Sequence, residues 1–182
     1  MNRYKVNKIF KLYENYGNKT VNQIEHMAQT AKLAEKDGFN DEIILACLFH
    51  DIGHLLAFED KNLQTNGFGV IDYEKCGADF LRSLNFSEKI PSLIENHIKS
   101  KQYLAFKDPN YIKKLSSESR ETLIQQGGIM TYQEAKDFER HPYFNLSIQI
   151  RLYDDQVKIE NYTKKSLDYY KKMCYEYLYR TN

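Results

Sequence analysis

The sequence predicts an all-α fold. Three observations carry that prediction. Three prolines and eight glycines in 182 residues leave long helices unobstructed. Apolar residues recur at helical spacing along most of the chain. No alternating strand pattern persists, and turn signals do not recur at hairpin spacing. Without an internal repeat, low-complexity tract or linker to divide it, the chain reads as one domain, residues 1–182, long enough for a proper core.

The elements follow in order. A first helix is predicted from about Val6 to Tyr16, followed by a loop at Gly17-Asn18-Lys19. Thr20 and Gln23 have the spacing of a capping box. The helix they open carries Ile24, Met27, Ala28 and Ala31 on one face and ends near Gly38. Asn40 caps the next helix, whose first turn holds Asp41 and Glu42 at the positive end of the dipole. It is predicted to run unbroken to Ala57. Glu59 to Gly69 reads as a loop, and a helix follows over about Asp72 to Leu84. Another spans Ser87 to Lys101, with Pro91 in its first turns. Asp108-Pro109 starts a turn and a short helix. Ser117 to Gln126 is helical and stops at Gly127-Gly128. Thr131 and Glu134 form a second capping box, opening a helix to Arg140. Pro142 opens the helix that carries Arg151 and Asp154. A tyrosine-rich helix over about residues 162–179 closes the chain, its rings reading as core or as an oligomer contact.

Composition excludes several function classes. The formal net charge is +1, which argues against electrostatic capture of nucleic acid or of an anionic membrane. Cys47, Cys76 and Cys174 are scattered with no CxxC pair, as expected in a reducing compartment. Charges interrupt Met1 to Lys11 where a signal peptide would be apolar, and no apolar run approaches the ~20 residues of a membrane span. The expectation is a cytoplasmic protein with a small-molecule partner.

The chemistry gathers at Leu48-Phe49-His50-Asp51-Ile52-Gly53-His54-Leu55. An almost wholly apolar run, Ile43 to Phe49, delivers an imidazole and a carboxylate side by side. Burying such a pair is costly unless something satisfies it, and a metal ion does so economically. His26, His50, Asp51, His97 and Asp154 are the candidate ligands, drawn from four separate helices. Imidazole with carboxylate suits iron, manganese, zinc or nickel. Asp51 has an oxygen to offer each of two ions, a bridging role. Lys101 lies one helical turn from His97 and so shares its face. His141 beside Pro142 fits no ligand position and reads as surface.

The order His26, then His50-Asp51-Ile52-Gly53-His54, then His97, then Asp154 resembles the HD-domain superfamily, all-helical proteins that bind one or two metals. The resemblance extends to Gln23-Ile24-Glu25-His26, Gly77-Ala78, His97-x-x-x-Lys101-x-Tyr103-Leu104, Asp108-Pro109-x-Tyr111 and Leu115-Ser116-x-x-Ser119. It continues through Gln126-Gly127-Gly128, Phe138-Glu139-x-x-Pro142 and Arg151-x-x-Asp154-Asp155-x-x-Lys158. These motifs fall in the order of the PhnZ-like branch, the phosphonate-operon HD proteins, and cover residues 16–158.

That branch uses a mixed-valent di-iron centre and O2 to cleave a carbon–phosphorus bond. Its substrates are 2-amino-1-hydroxyalkylphosphonates or trimethylammonio relatives. The resemblance implies that His26, His50, Asp51 and Asp154 hold one iron, with Asp51 bridging to a second iron served by His97. It assigns the phosphonate to His54, Lys101, Ser119 and Arg151. A dianionic head group does need such donors, Lys as a point charge and Arg as a fork.

Two positions depart from the branch. Tyr73 stands where a histidine would complete the second iron's ligands, followed by the expected Glu74. A tyrosinate site, a weak site and an empty site are the alternatives, because a neutral phenol is a poor ligand. Lys19 replaces a glutamate that gates the first iron, three residues after the matching Tyr16. An ammonium cannot ligate iron, so Lys19 either attracts an anion or faces solvent. Tyr16 is either packing or part of the gate. The expected function is an iron-dependent oxygenase cleaving a small organophosphonate or related anion. The alternatives are an HD-type metal-dependent phosphohydrolase and a non-catalytic anion-binding protein.

Overall fold

A computed structural model describes residues 2–17, 21–59, 72–157 and 165–181. Every regular element among the described residues is a helix. In order they are α1 (Asn2–Gly17), α2 (Val21–Lys36), α3 (Asp41–Phe49), α4 (Ile52–Glu59), α5 (Tyr73–Ser83) and α6 (Lys89–Lys107). There follow α7 (Tyr111–Lys114), α8 (Ser117–Gln125), α9 (Tyr132–Glu139), α10 (Phe144–Gln156) and α11 (Lys165–Thr181). None is long and apolar enough to cross a membrane.

The apolar run expected to be central is central. Every residue of α3 from Ile43 to Phe49 is buried, and α2, α6 and α11 pack around it. Asn40 caps α3 by accepting from the Ile43 amide at 3.2 Å. On the far side, α11 contributes Tyr170, Cys174, Tyr177 and Leu178 to the core, while Tyr169, Tyr175 and Tyr179 remain exposed. The tyrosine-rich end therefore divides between packing and surface. The predicted start of that helix, residues 162–164, lies outside the described residues, as do Lys19, Thr20, Lys158 and nearly all of the predicted 59–69 loop.

The expected single helix from Asn40 to Ala57 is two helices. It breaks at His50–Asp51, between α3 and α4. The His50 ring accounts for the break, since its Nδ1–H donates to the Cys47 carbonyl three residues back, at 2.7 Å. The chain then re-enters helix with the His54 amide donating to the Asp51 carbonyl at 3.0 Å. Apolar periodicity carries no trace of this, because both halves are apolar. α6 outruns its predicted end at Lys101 and continues to Lys107. No helix breaker intervenes before Pro109, and Tyr103 and Ala105 on that extra length are buried. The Thr131–Glu134 capping box forms as predicted, with the Thr131 hydroxyl accepting from the Glu134 amide.

Helices α4 and α5 meet through glycine. A Cβ built on Gly53 would lie 1.8 Å from the Tyr73 carbonyl oxygen. One built on Gly77 would lie 3.1 Å from the Gly53 nitrogen. The two backbones are in direct contact, which brings Tyr73 and the His50–His54 segment to the same cleft.

Candidate metal centre and anion cleft

Four helix regions bring the predicted ligands together. His26 comes from α2, His50 and Asp51 from the α3–α4 turn, His97 from α6 and Asp154 from α10. His26 Nε2 lies 2.5 Å from Asp154 Oδ1. His50 Nε2 is 3.4 Å from Asp51 Oδ2 and 3.7 Å from Asp154 Oδ1. His97 Nε2 is 3.3 Å from Asp154 Oδ2. The donors form two groups, His26–His50–Asp51 and His50–His97–Asp154, each with its ligand atoms within 4.8 Å of one another. His50 belongs to both.

The state of His50 tests whether these residues suit a metal. Its Nδ1–H is spent on the Cys47 carbonyl, so Nε2 is the nitrogen that a metal would take in exchange for its proton. That Nε2 is buried and has no hydrogen-bond partner. A buried imidazole oriented by a backbone carbonyl, with its other nitrogen aimed at two carboxylates, is the arrangement a metal-ligating histidine takes. The donor set fits a transition metal.

The charges reinforce one another. Burial resists ionisation of Asp51, but the charge and hydrogen bond of His50, joined by the charges of His54 and His97, together outweigh it and hold the carboxyl well below the usual range. Asp154 is likewise held low against burial, chiefly by the Arg151 guanidinium. Burial would depress His50, yet Asp51 and Asp154 beside it raise its pKa to about 9. Asp51 and Asp154 thus stay ionised beside the histidines, the state in which carboxylates could ligate a metal.

Beside the cluster opens a cleft of about 530 Å³, within the range of about 300–1,000 Å³ typical of small-molecule sites. His54, Lys101, Ser119 and Arg151 all line it. Lys101 is 3 % exposed, and its Nζ donates to Thr122 Oγ1 at 2.8 Å. Burial, joined by the Arg151 charge, brings its pKa down to about 8. Arg151 is held from all sides. Its Nε donates to the Tyr111 hydroxyl at 3.1 Å, Nη1 lies 2.6 Å from Asp154 Oδ2, and Nη2 donates to Asp155 Oδ1 at 2.5 Å. Tyr111 in turn donates to Asp155 Oδ2 at 2.5 Å. Asp154 thus faces the cluster while Asp155 anchors the guanidinium, a division of labour between neighbours one helical step apart. Tyr73 is buried and stacks on the His54 ring, centroids 3.9 Å apart. Burial, then Asp51, pushes its phenol well above the ordinary value.

Sequence reasoning missed three participants. Gln23 was expected to reach back in a capping box. Its Nε2 instead donates to Asp51 Oδ2 at 2.7 Å, because α2 turns this residue into the cleft. Thr122 and Glu118 line the cleft from α8. Thr122 lies one turn past Ser119, and that spacing on an exposed helix was the available signal. His141 is less of a surface residue than expected. Its Nδ1 accepts from the Tyr143 amide at 3.1 Å and lies 3.2 Å from Asn96 Nδ2. Lys19 falls outside the described residues, and so does the side chain of Tyr16.

The HD-domain family model matches residues 23–143, which span all but the last helix-borne ligand. The chain belongs to the HD-domain family. Curated relatives align along most of its length. An uncharacterized protein of Acanthamoeba polyphaga mimivirus is 40% identical over 178 residues, covering 95% of this chain and 81% of its own. A hydroxymethylphosphonate dioxygenase of Gimesia maris is 32% identical over 172 residues, covering 91% and 84%. A [1-hydroxy-2-(trimethylamino)ethyl]phosphonate dioxygenase (glycine-betaine-forming) of Leisingera caerulea is 33% identical over 153 residues, covering 80% and 73%. This HD protein therefore falls in the PhnZ-like branch.

Proposed function

We propose that the protein is an iron-dependent oxygenase that cleaves the carbon–phosphorus bond of a small 1-hydroxyalkylphosphonate. The observation that carries this reading is the juxtaposition of a metal-suited cluster with the cationic side chains of Lys101 and Arg151. Asp51 and Asp154 line one cleft with Lys101 and Arg151, and the unpartnered Nε2 of His50 lies buried behind the two carboxylates. Two relatives named as dioxygenases of hydroxylated phosphonates give the substrate class.

In this reading His26, His50, Asp51 and Asp154 hold the iron, with His97 beside them. Iron held there would supply one-electron chemistry with O2 and Lewis acidity toward a substrate hydroxyl. The chain's own residues do the rest. Lys101, Arg151, Ser119 and His54 bind and orient the phosphonate. Asp155 and Tyr111 fix the plane of the Arg151 fork, so one N–H of Nη2 remains for the ligand. Gln23 holds Asp51 in position. The overall reaction balances without an external reductant. The substrate loses its C–P bond, one C–H hydrogen of the carbinol carbon and the hydroxyl hydrogen, and each product gains one oxygen atom of O2, giving a carboxylate, hydrogen phosphate and a proton.

The test is O2 uptake by protein purified under argon and loaded with Fe(II). Hydroxymethylphosphonate and 1-hydroxy-2-(trimethylamino)ethylphosphonate should each be tried, with one phosphate released per O2 consumed. Turnover of a phosphoester under argon, with no O2 uptake on any phosphonate, would sink the oxygenase reading in favour of a hydrolase.

Lys101 makes this activity pH-dependent. Its ammonium is present below about pH 8 and lost above it. Affinity for the anion, read as kcat/KM of the free enzyme, is expected to fall as pH rises through that value. A bound metal cation pushes the limb in the same downward direction. Lys101→Arg should remove the limb while lowering kcat/KM overall, because a fork cannot reproduce a point donor. A flat profile from pH 7 to 10 in the native protein would exclude Lys101 as the anion's partner.

A further inference from the structure

Tyr73 stands where the family resemblance implies the last histidine of a second metal position. Three features of the structure argue that this position cannot be filled. The first is the supply of donors. Among the described residues, the groups of three or more metal-capable donors are His26–His50–Asp51 and His50–His97–Asp154. Neither unites Asp51 with His97, the two residues a second ion would have to share.

The second is the engagement of His97. Its Nε2 lies 3.2 Å from Arg151 Nη1. Asp154 Oδ2 lies 3.3 Å from the same nitrogen, so Nε2 is already engaged by the Arg151–Asp154 ion pair. Asp155, Tyr111 and Asp154 anchor Arg151 in that place, so His97 stays turned to this pair as long as the Tyr73 position brings no strong ligand to a second ion.

The third is that Tyr73 has no room to step aside. Its ring lies nearly parallel to that of His54, 26° between planes and 3.9 Å between centroids. Its carbonyl occupies the space directly over Gly53, so the backbone that carries it is locked against α4. A bulky ring, 6 % exposed, thus fills the wall of the cleft beside Asp51 and presents a metal with no more than a weak neutral oxygen.

We propose that Tyr73 occupies the second metal position with its ring, and that the protein therefore holds a single metal ion per chain, on the Asp154 side of Asp51. The proposal rests on the reading of His26, His50, Asp51 and Asp154 as metal ligands. It removes the bridging role from Asp51 and with it any mixed-valent pair. Iron and O2 are retained; the second iron is not.

Metal counting tests this without reference to turnover. Apo-protein is loaded under argon with Fe(II), and separately with Co(II), then freed of excess ion and analysed by mass spectrometry of the metal. The native chain is expected to retain about one ion and Tyr73→His about two. Limited O2 should then produce the electron paramagnetic resonance of a coupled mixed-valent pair in Fe-loaded Tyr73→His and not in the native protein. Tyr73→Phe should still hold about one ion, since the ring and not the hydroxyl does the filling.

Two tightly held ions in the native chain would overturn the proposal. So would a visible phenolate-to-iron band that disappears in Tyr73→Phe, or a folded Tyr73→His that stays at one ion. If Tyr73→His does not fold, the native count and the Tyr73→Phe spectrum decide the matter by themselves. A native chain that binds no ion at all would overturn the four-ligand reading and this proposal together, whereas one ion with no oxygenase activity would overturn only the reaction.

Discussion

His50→Gln is expected to abolish stable metal binding, and activity with it. His50 is the one residue common to both donor groups, so its loss leaves each with two ligands. Removing an outer partner of a metal ligand already costs about 10–100-fold in affinity. Losing a ligand held rigid by the Cys47 carbonyl should cost more, at least about 100-fold. The variant also has a signature in pH. In the metal-free native protein His50 titrates at about 9, above its ordinary 6.5. Its proton therefore stabilises the fold fully below about pH 6.5 and that contribution is lost as pH rises through 9. A metal must displace the same proton, so native affinity should climb with pH up to that value. Both dependences should vanish in His50→Gln. Calorimetric titration with Co(II) across pH 6 to 9 reads them, and a variant that binds Co(II) as the native chain does would place the metal elsewhere.

Gly53→Ala is expected to be the most destabilising small substitution in the molecule. The added methyl would sit 1.8 Å from the Tyr73 carbonyl oxygen, 2.6 Å from its carbon and 3.0 Å from its Cα. All three are backbone atoms, so no rotamer change relieves the clash and α4 must part from α5. Overpacking costs about 1–3 kcal/mol where side chains can yield. Here the cost should be about 3 kcal/mol or more, a fall in Tm of roughly 6–12 °C for a chain of this size. Gly77→Ala makes the control. Its added methyl would meet the Ile52 side chain at 3.0 Å and the Gly53 nitrogen at 3.1 Å, far milder approaches, so it should cost about 1–2 kcal/mol. Urea denaturation of the two variants measures the difference. A Gly53→Ala protein as stable as the native one would mean that the two helices do not meet as described.

Much of the site was readable because metal chemistry restricts residue type. Few residues ligate a transition ion, and an aspartate directly after a histidine at the end of an apolar run has few other uses. The same logic separates Asp154 from Asp155 only weakly, since both are carboxylates on one helix. Their opposite roles depend on which side of α10 meets α6 and α2. Gln23 shows the limit more sharply. Its spacing from Thr20 satisfies a capping rule, yet its amide is bonded to Asp51. Local spacing describes what a side chain can reach within its own helix, and says nothing of a carboxylate delivered from a different one.

What the sequence by itself determined is the all-helical class, the boundaries set by caps and glycines, and the identity of the metal-suited residues. Each follows from short-range rules, in periodicity, capping and donor chemistry. Only the tertiary structure decided the rest. The break at His50 is set by a side chain bonding to its own helix. The fixed fork of Arg151 needs Tyr111 from α7 as well as Asp155 of its own helix. The pinned ring of Tyr73 depends on two backbones touching at Gly53. Some of these contacts join neighbours and others residues far apart in the chain, but the energies of all depend on distances of a few tenths of an ångström that no spacing in one dimension specifies.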